Sequence, residues 1–256
     1  MRYVKNCTVL LAGLAALAMA TQSHAIPVGY TDVNAFAAQP GSFTTHSFLS
    51  ELGQTIGDGS SITIPHSQGY VDVSFFYDFG DVPGDVPGTM TPIEIAGTDG
   101  SLYGGGGPFS STSPSAFLGT TDGDMFIDGD DFRLDFSRPL SQLGMFFISA
   151  DELFDGDIEL TAGGTTVGID ASSPSQVLDD GSSAYFLGLI DMMGGGMTSA
   201  SITTIGGGYF FYNVDNLMVA PVPSPVPSPA PVGLLALGLL ALACARFRKH
   251  QQGEVH

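Results

Sequence analysis

The chain has 256 residues, with 26 Asp and Glu against 7 Lys and Arg, and only two cysteines. A formal charge of −19 repels phosphate backbones and excludes nucleic acid as a partner. Every acidic residue except Glu254 lies between Ile26 and Ala220, facing only Arg133 and Arg138, so this lysine-free stretch carries a charge of about −23.

The N-terminus reads as a secretory signal peptide over residues 1–25. Arg2 and Lys5 precede an apolar run, Cys7 to Ala20, and Ser23-His24-Ala25 supplies a small-residue cleavage site before Ile26. The stretch 26–220 is long enough for one domain with a sizeable core. Cys7 and Cys244 both fall outside it, so it has neither disulfide nor thiol chemistry. Core packing, helped by metal, must hold it.

Helical periodicity is nearly absent from this stretch, and Gly, Ser, Thr and aromatic residues are plentiful. Ala35 to Leu52 has room for a short helix. Ser61 to Pro65 is a short strand, and Tyr70 to Phe79 a long aromatic one. Gly80 to Pro92 and Gly100 to Pro114 are loops rich in proline and glycine. Phe132, Leu134 and Phe136 alternate with Arg133 and Asp135, which predicts a half-buried strand ending at Pro139. Leu143 to Ser149 follows as a separate apolar strand. Asp157 to Ala162 and Thr165 to Ile169 flank Gly163-Gly164, a strong hairpin signal. Ala184 to Ile190, Ala200 to Ile205 and Tyr209 to Val219 complete about ten strands, which implies an all-β antiparallel sandwich of jelly-roll type.

The C-terminus changes character. Residues 221–231 alternate proline with small residues and cannot form a helix or inner strand. Within them Val222-Pro223-Ser224-Pro225 is repeated as Val226-Pro227-Ser228-Pro229. Residues 232–256 hold an uncharged apolar run, Val232 to Ala245, followed by Arg246, Arg248 and Lys249. As a helix the run rises about 21 Å against a hydrocarbon core of about 30 Å, short enough to suit transient insertion with the basic end cytoplasmic. A short permanent anchor is the other reading.

This tail resembles the PEP-CTERM sorting signal of exopolysaccharide-producing Gram-negative bacteria, with Ser224 or Ser228 where glutamate is usual. The resemblance implies recognition and removal by an exosortase, a membrane cysteine protease, and delivery to the cell surface or extracellular matrix. Residues 131–220, with FRLDFSRPLSQLGMFF, AYFLGLI and FYNVDNLMVA, are also similar to domains often attached to such tails. Those domains carry no enzyme motif.

Calcium is the candidate cofactor, because carboxylates and carbonyls in loops supply its six to eight oxygens. Asp122, Asp124, Asp128 and Asp130 form one acidic run, and Asp151, Asp155 and Asp157 another. Neither keeps EF-hand spacing: Phe126 and Ile127 break the first and Leu153 the second. Solvated turns explain both compositions equally well. Asp215 joins them by analogy with carbohydrate-binding jelly rolls, whose last strand ties a calcium to the N-terminal strand. For catalysis the stretch offers His46 and His66 and no nucleophile elbow or zinc-binding helix. It has no Trp, and Tyr70, Tyr77, Tyr103, Tyr209 and Tyr212 are the rings that could stack on sugars. The expectation is a non-enzymatic structural or adhesive protein associated with exopolysaccharide, the alternative being a polysaccharide hydrolase or lyase on the same scaffold.

Overall fold

The computed structural model describes residues 26–77, 92–97, 116–121, 125–178, 180–192, 194–205 and 209–223. The expected signal peptide, nearly all of both long loops, Tyr103, Asp122, Asp124, Ser224 to Pro229, Arg246, Arg248 and Lys249 lie outside these residues. The chain divides into two compact units, Met1–Val222 and Pro223–His256, and the first contains every described residue except Pro223. Among the described residues no helix is long and apolar enough to cross a membrane.

The described fold is all-β and antiparallel. Its strands are β1 (Val28–Tyr30), β2 (Thr44–His46), β3 (Thr55–Ile56), β4 (Ser61–His66), β5 (Gly69–Phe76), β6 (Ile93–Gly97), β7 (Ala116–Thr120), β8 (Phe126–Ile127), β9 (Phe132–Ser149), β10 (Ile158–Ala162), β11 (Thr165–Gly168), β12 (Gln176–Val177), β13 (Ser183–Ile190), β14 (Met197–Thr204) and β15 (Phe211–Pro221). One five-residue helix, α1 (Val33–Ala37), starts at Asp32, whose carboxylate accepts the Asn34 and Ala35 amides.

β9 is the element that the rest are built on. Its first half lies between β5 and β14, giving the side-by-side order β11-β10-β14-β9-β5-β4. Its second half lies between β13 and β15, and β15 leads on through β7 and β6 to β3. The period-2 pattern turns Phe132, Leu134 and Phe136 inward, with Phe75 and Ile202 beside them, and leaves Arg133 and Asp135 on the outer face. The second half is buried on both faces. Leu143, Met145 and Phe147 enter the main core, and Phe146 and Ile148 enter a second cluster with Phe186, Ile190 and Met218.

The sequence predicts a break at Pro139, and the structure has none: β9 runs unbroken for 18 residues. The missing proline amide costs no ladder bond here, because the β14 register skips between Met197 and Ser199. The Pro139 carbonyl stays useful, accepting the Val222 amide at 2.9 Å. The Gly163-Gly164 hairpin forms as predicted, with both glycines at positive φ, 57° and 81°. The small strands β1, β3, β8 and β12 carry too few residues to show a period and are not legible in the sequence.

The N-terminal segment seals the second cluster. Gly144 and Gly188 stand opposite each other on β9 and β13, and the rings of Phe36 from α1 and Phe186 from β13 fill the notch they leave. A Cβ at Gly188 would lie 2.7 Å from Phe36 and 2.8 Å from Phe186. Phe36 meets Phe186 edge-on at 5.0 Å. Gly188→Ala should therefore destabilise by about 1–3 kcal/mol through overpacking, and Phe36→Ala by about 3–5 kcal/mol through the cavity left behind. In the double variant each change relieves the other, so the combined loss in urea unfolding should fall short of the sum. Strictly additive losses would mean that Phe186, not Phe36, limits the space at Gly188.

Candidate functional site: an acidic loop end

Four connections meet at one end of the fold: 128–131 before β9, 150–157 after it, 169–175 after β11, and 205–210 before β15, with 206–208 outside the described residues. They bring the two acidic runs together, although more than 20 residues separate Asp128 from Asp151 in sequence. Below them lies an aromatic floor. Phe126 stacks on Phe132 at 5.0 Å and on Tyr212 at 5.1 Å, and Phe210 lies 6.2 Å from Tyr212.

The carboxylates of these runs work first as acceptors for backbone amides. Asp130 takes the Ile127 amide at 2.8 Å, Asp157 the Phe154 amide at 2.6 Å, and Asp155 the Ala171 amide at 2.9 Å. Asp151 takes the Phe211 amide at 2.8 Å, which ties the β9–β10 connection to the start of β15. Asp131, the last residue of the first acidic run, is 5% exposed and accepts both the amide and the hydroxyl of Thr204. The Thr204 hydroxyl in turn accepts the Gly129 amide at 2.7 Å. Loops without ladder partners must place their N–H groups somewhere, and short Asp side chains reach them. Asp131 stands one residue before the strand that Phe132 begins.

The electrostatic result is mutual repulsion held in place by hydrogen bonds. Burial raises the Asp128 carboxyl above its ordinary 3.8, a hydrogen bond with Thr204 pulls it down, and the charge of Asp157 raises it further. Tyr212, fully buried, donates its hydroxyl to the Asp130 carbonyl at 2.8 Å. Its phenol is held well above 10 by burial and then by the charges of Asp130, Asp131 and Asp128. Among the described residues no three His, Cys, Asp or Glu side chains converge as a metal-binding group. Most of these carboxylates already accept an amide through one oxygen.

Asp215 stands apart from this end. It is fully buried in β15 and accepts the Asn216 amide at 2.6 Å. Asn216 is left-handed, φ 54°, at the register shift where β15 takes up β2 from the N-terminal segment. The tyrosines also sort themselves: Tyr77 and Tyr212 belong to the core, whereas Tyr70 and Tyr209 are exposed. His46 is buried with its Nε2 3.1 Å from Glu51, and His66 holds the Ser42 carbonyl. A polar cavity of about 300 Å³ lies between Thr31–Asn34 and Ser173–Ser175.

No family model, curated protein or solved structure matches the chain.

Two neighbouring aspartates should respond to mutation with opposite sign. Asp131→Ala leaves the half-buried Thr204 amide without its acceptor and should destabilise by about 1–2 kcal/mol. Asp128→Asn removes a charge whose pKa is raised on folding. A raised carboxyl stabilises the fold only while protonated, so the wild type loses that contribution as pH rises through and beyond 3.8. Asp128→Asn should therefore match wild type below that value and melt higher at neutral pH. Thermal unfolding of both variants across pH checks this, and a lower neutral melting point for Asp128→Asn would refute the repulsion.

Proposed function

We propose that this protein is exported and sorted by its C-terminal tail to the cell surface or extracellular matrix, where it serves a structural or adhesive role against exopolysaccharide. In this reading the domain is a jelly-roll-like β-sandwich without catalytic activity. Residues 1–25 direct export, and residues 221–256 are read and removed by an exosortase-type membrane protease after transient insertion. The observation that supports the reading best is where the packed fold stops. β15 runs to Pro221, the Val222 amide is bonded to the Pro139 carbonyl, and the second compact unit begins at Pro223. Among the described residues no strand lies after Pro221. The resemblance to a sorting signal begins at the next residue.

Intact mass of the released protein tests this directly. The chain should begin at Ile26 and end between Pro223 and Pro229. A released species that still carries Arg246 to His256 would overturn the sorting reading.

Calcium enters this proposal as a counter-ion to the acidic loop end, not as the centre of a cage. A cation that binds only the folded form at about a hundredfold excess over its Kd adds roughly 2.7 kcal/mol, on the order of 5–11 °C in melting point for a domain of this size. Unfolding in chelator, in millimolar calcium and in sodium chloride of equal ionic strength separates binding from screening. A shift reproduced entirely by sodium chloride removes calcium from the account.

A further inference from the structure

The acidic loop end also carries large apolar side chains that the core does not use. Tyr209 is 70% exposed, Ile205 63% and Phe154 62%. Carboxylates alone would indicate no ligand; this aromatic surface on a wet, charged end is the observation that does. The side chains are held in position. The Phe154 amide is bonded to Asp157, the Ile205 amide to the Asp157 carbonyl at 3.0 Å, and Tyr209 meets Phe211 edge-on at 5.1 Å. The Phe211 amide is bonded to Asp151. Phe154 itself sits between Asp151-Glu152 and Asp155, all exposed.

Charge selects the occupant. The cations of the stretch 26–220 are Arg133 and Arg138. Arg133 is engaged by Asp135 at 2.8 Å on the outer sheet face, and Arg138 reaches the Gln68 carbonyl near the β4–β5 turn. An anionic polymer would meet carboxylates here without a compensating cation. Rings beside carboxylates suit a ligand with an apolar ring face and a positive charge, because a cation is attracted both to the π face and to the acid.

We propose that this end binds a polysaccharide bearing free, protonated amino groups. Its pyranose faces lie on Tyr209 and Phe154, and its ammonium groups face Asp151, Asp155 and Asp128. The inference rests on the polysaccharide-associated reading above and names the class of glycan.

The test is titration of the full chain, purified in mild detergent, with glucosamine hexamer, N-acetylglucosamine hexamer and an alginate oligomer at mildly acidic pH. Glucosamine hexamer should bind most tightly and alginate not at all. Tyr209→Ala and Phe154→Ala should each weaken binding roughly two- to fivefold, and together about tenfold. Tyr70→Ala, at an exposed ring at the start of β5 on the far side of the strand pair, should leave it unchanged. These changes leave the net charge intact, so full binding by the double variant would reduce the effect to polyanion–polycation attraction and overturn the proposal. Preference for the acetylated hexamer overturns the amine requirement while leaving a polysaccharide-binding role standing. Failure to bind any of the three overturns this inference, whereas the adhesive reading falls only if the protein is also not retained on the producing cell's own exopolysaccharide.

Discussion

The fold depends on one strand serving two sheet sections. β9 pairs with β5 and β14 along its first half and with β13 and β15 along its second. A strand paired on both edges must place nearly every amide in a ladder, yet this one contains a proline, at an exposed position before its doubly buried half. Pro139 is tolerated because it sits where the β14 register is already irregular and where the chain changes neighbours. The Pro139 carbonyl then fastens Val222, so the point where β9 changes neighbours is also where β15, the last described strand, ends.

The second constraint is chemical. A domain with no lysine and no disulfide has few polar side chains that can cross-link loops. Aspartate fills that role, accepting amides at Ile127, Phe154, Ala171 and Phe211, and at Gly196 through Asp191. Charge-assisted bonds of this kind are stronger than neutral ones, which offsets the repulsion of crowding carboxylates at one end. The compromise shows at Asp128, where burial and Asp157 together disfavour ionisation. Acidity here is therefore partly structural, and calcium is not needed to explain why the aspartates stand where they do.

Sealing of the second cluster ties the N-terminal segment to this plan. The Gly144–Gly188 notch is filled by Phe36 and Phe186 together. Glycine in mid-strand is ordinarily unfavourable, and its presence at two facing positions marks a close approach that neither strand's sequence reveals alone. Phe48 shows a related economy of packing. It adopts a left-handed backbone, φ 58°, rare for an aromatic residue, and is fully buried against His46.

Alternation along Phe132–Phe136, the Gly163-Gly164 turn and the apolar runs of β13 and β15 were legible in the sequence, because period and turn chemistry are local. So were the charge balance, the absence of lysine and the Val-Pro-Ser-Pro repeat. The continuity of β9 through Pro139 was not, since it depends on which neighbour leaves an amide unneeded. Nor were the two-residue strands, too short to carry a pattern. At the loop end the sequence offered two acidic runs and a set of tyrosines without ranking them. Only the tertiary structure joined Asp128 to Asp157, buried Tyr212, exposed Tyr209 and separated Asp215 from the rest. Local residue chemistry determines which segments pair as strands, but which side chains meet at an end, and which are covered, depends on contacts between segments far apart along the chain.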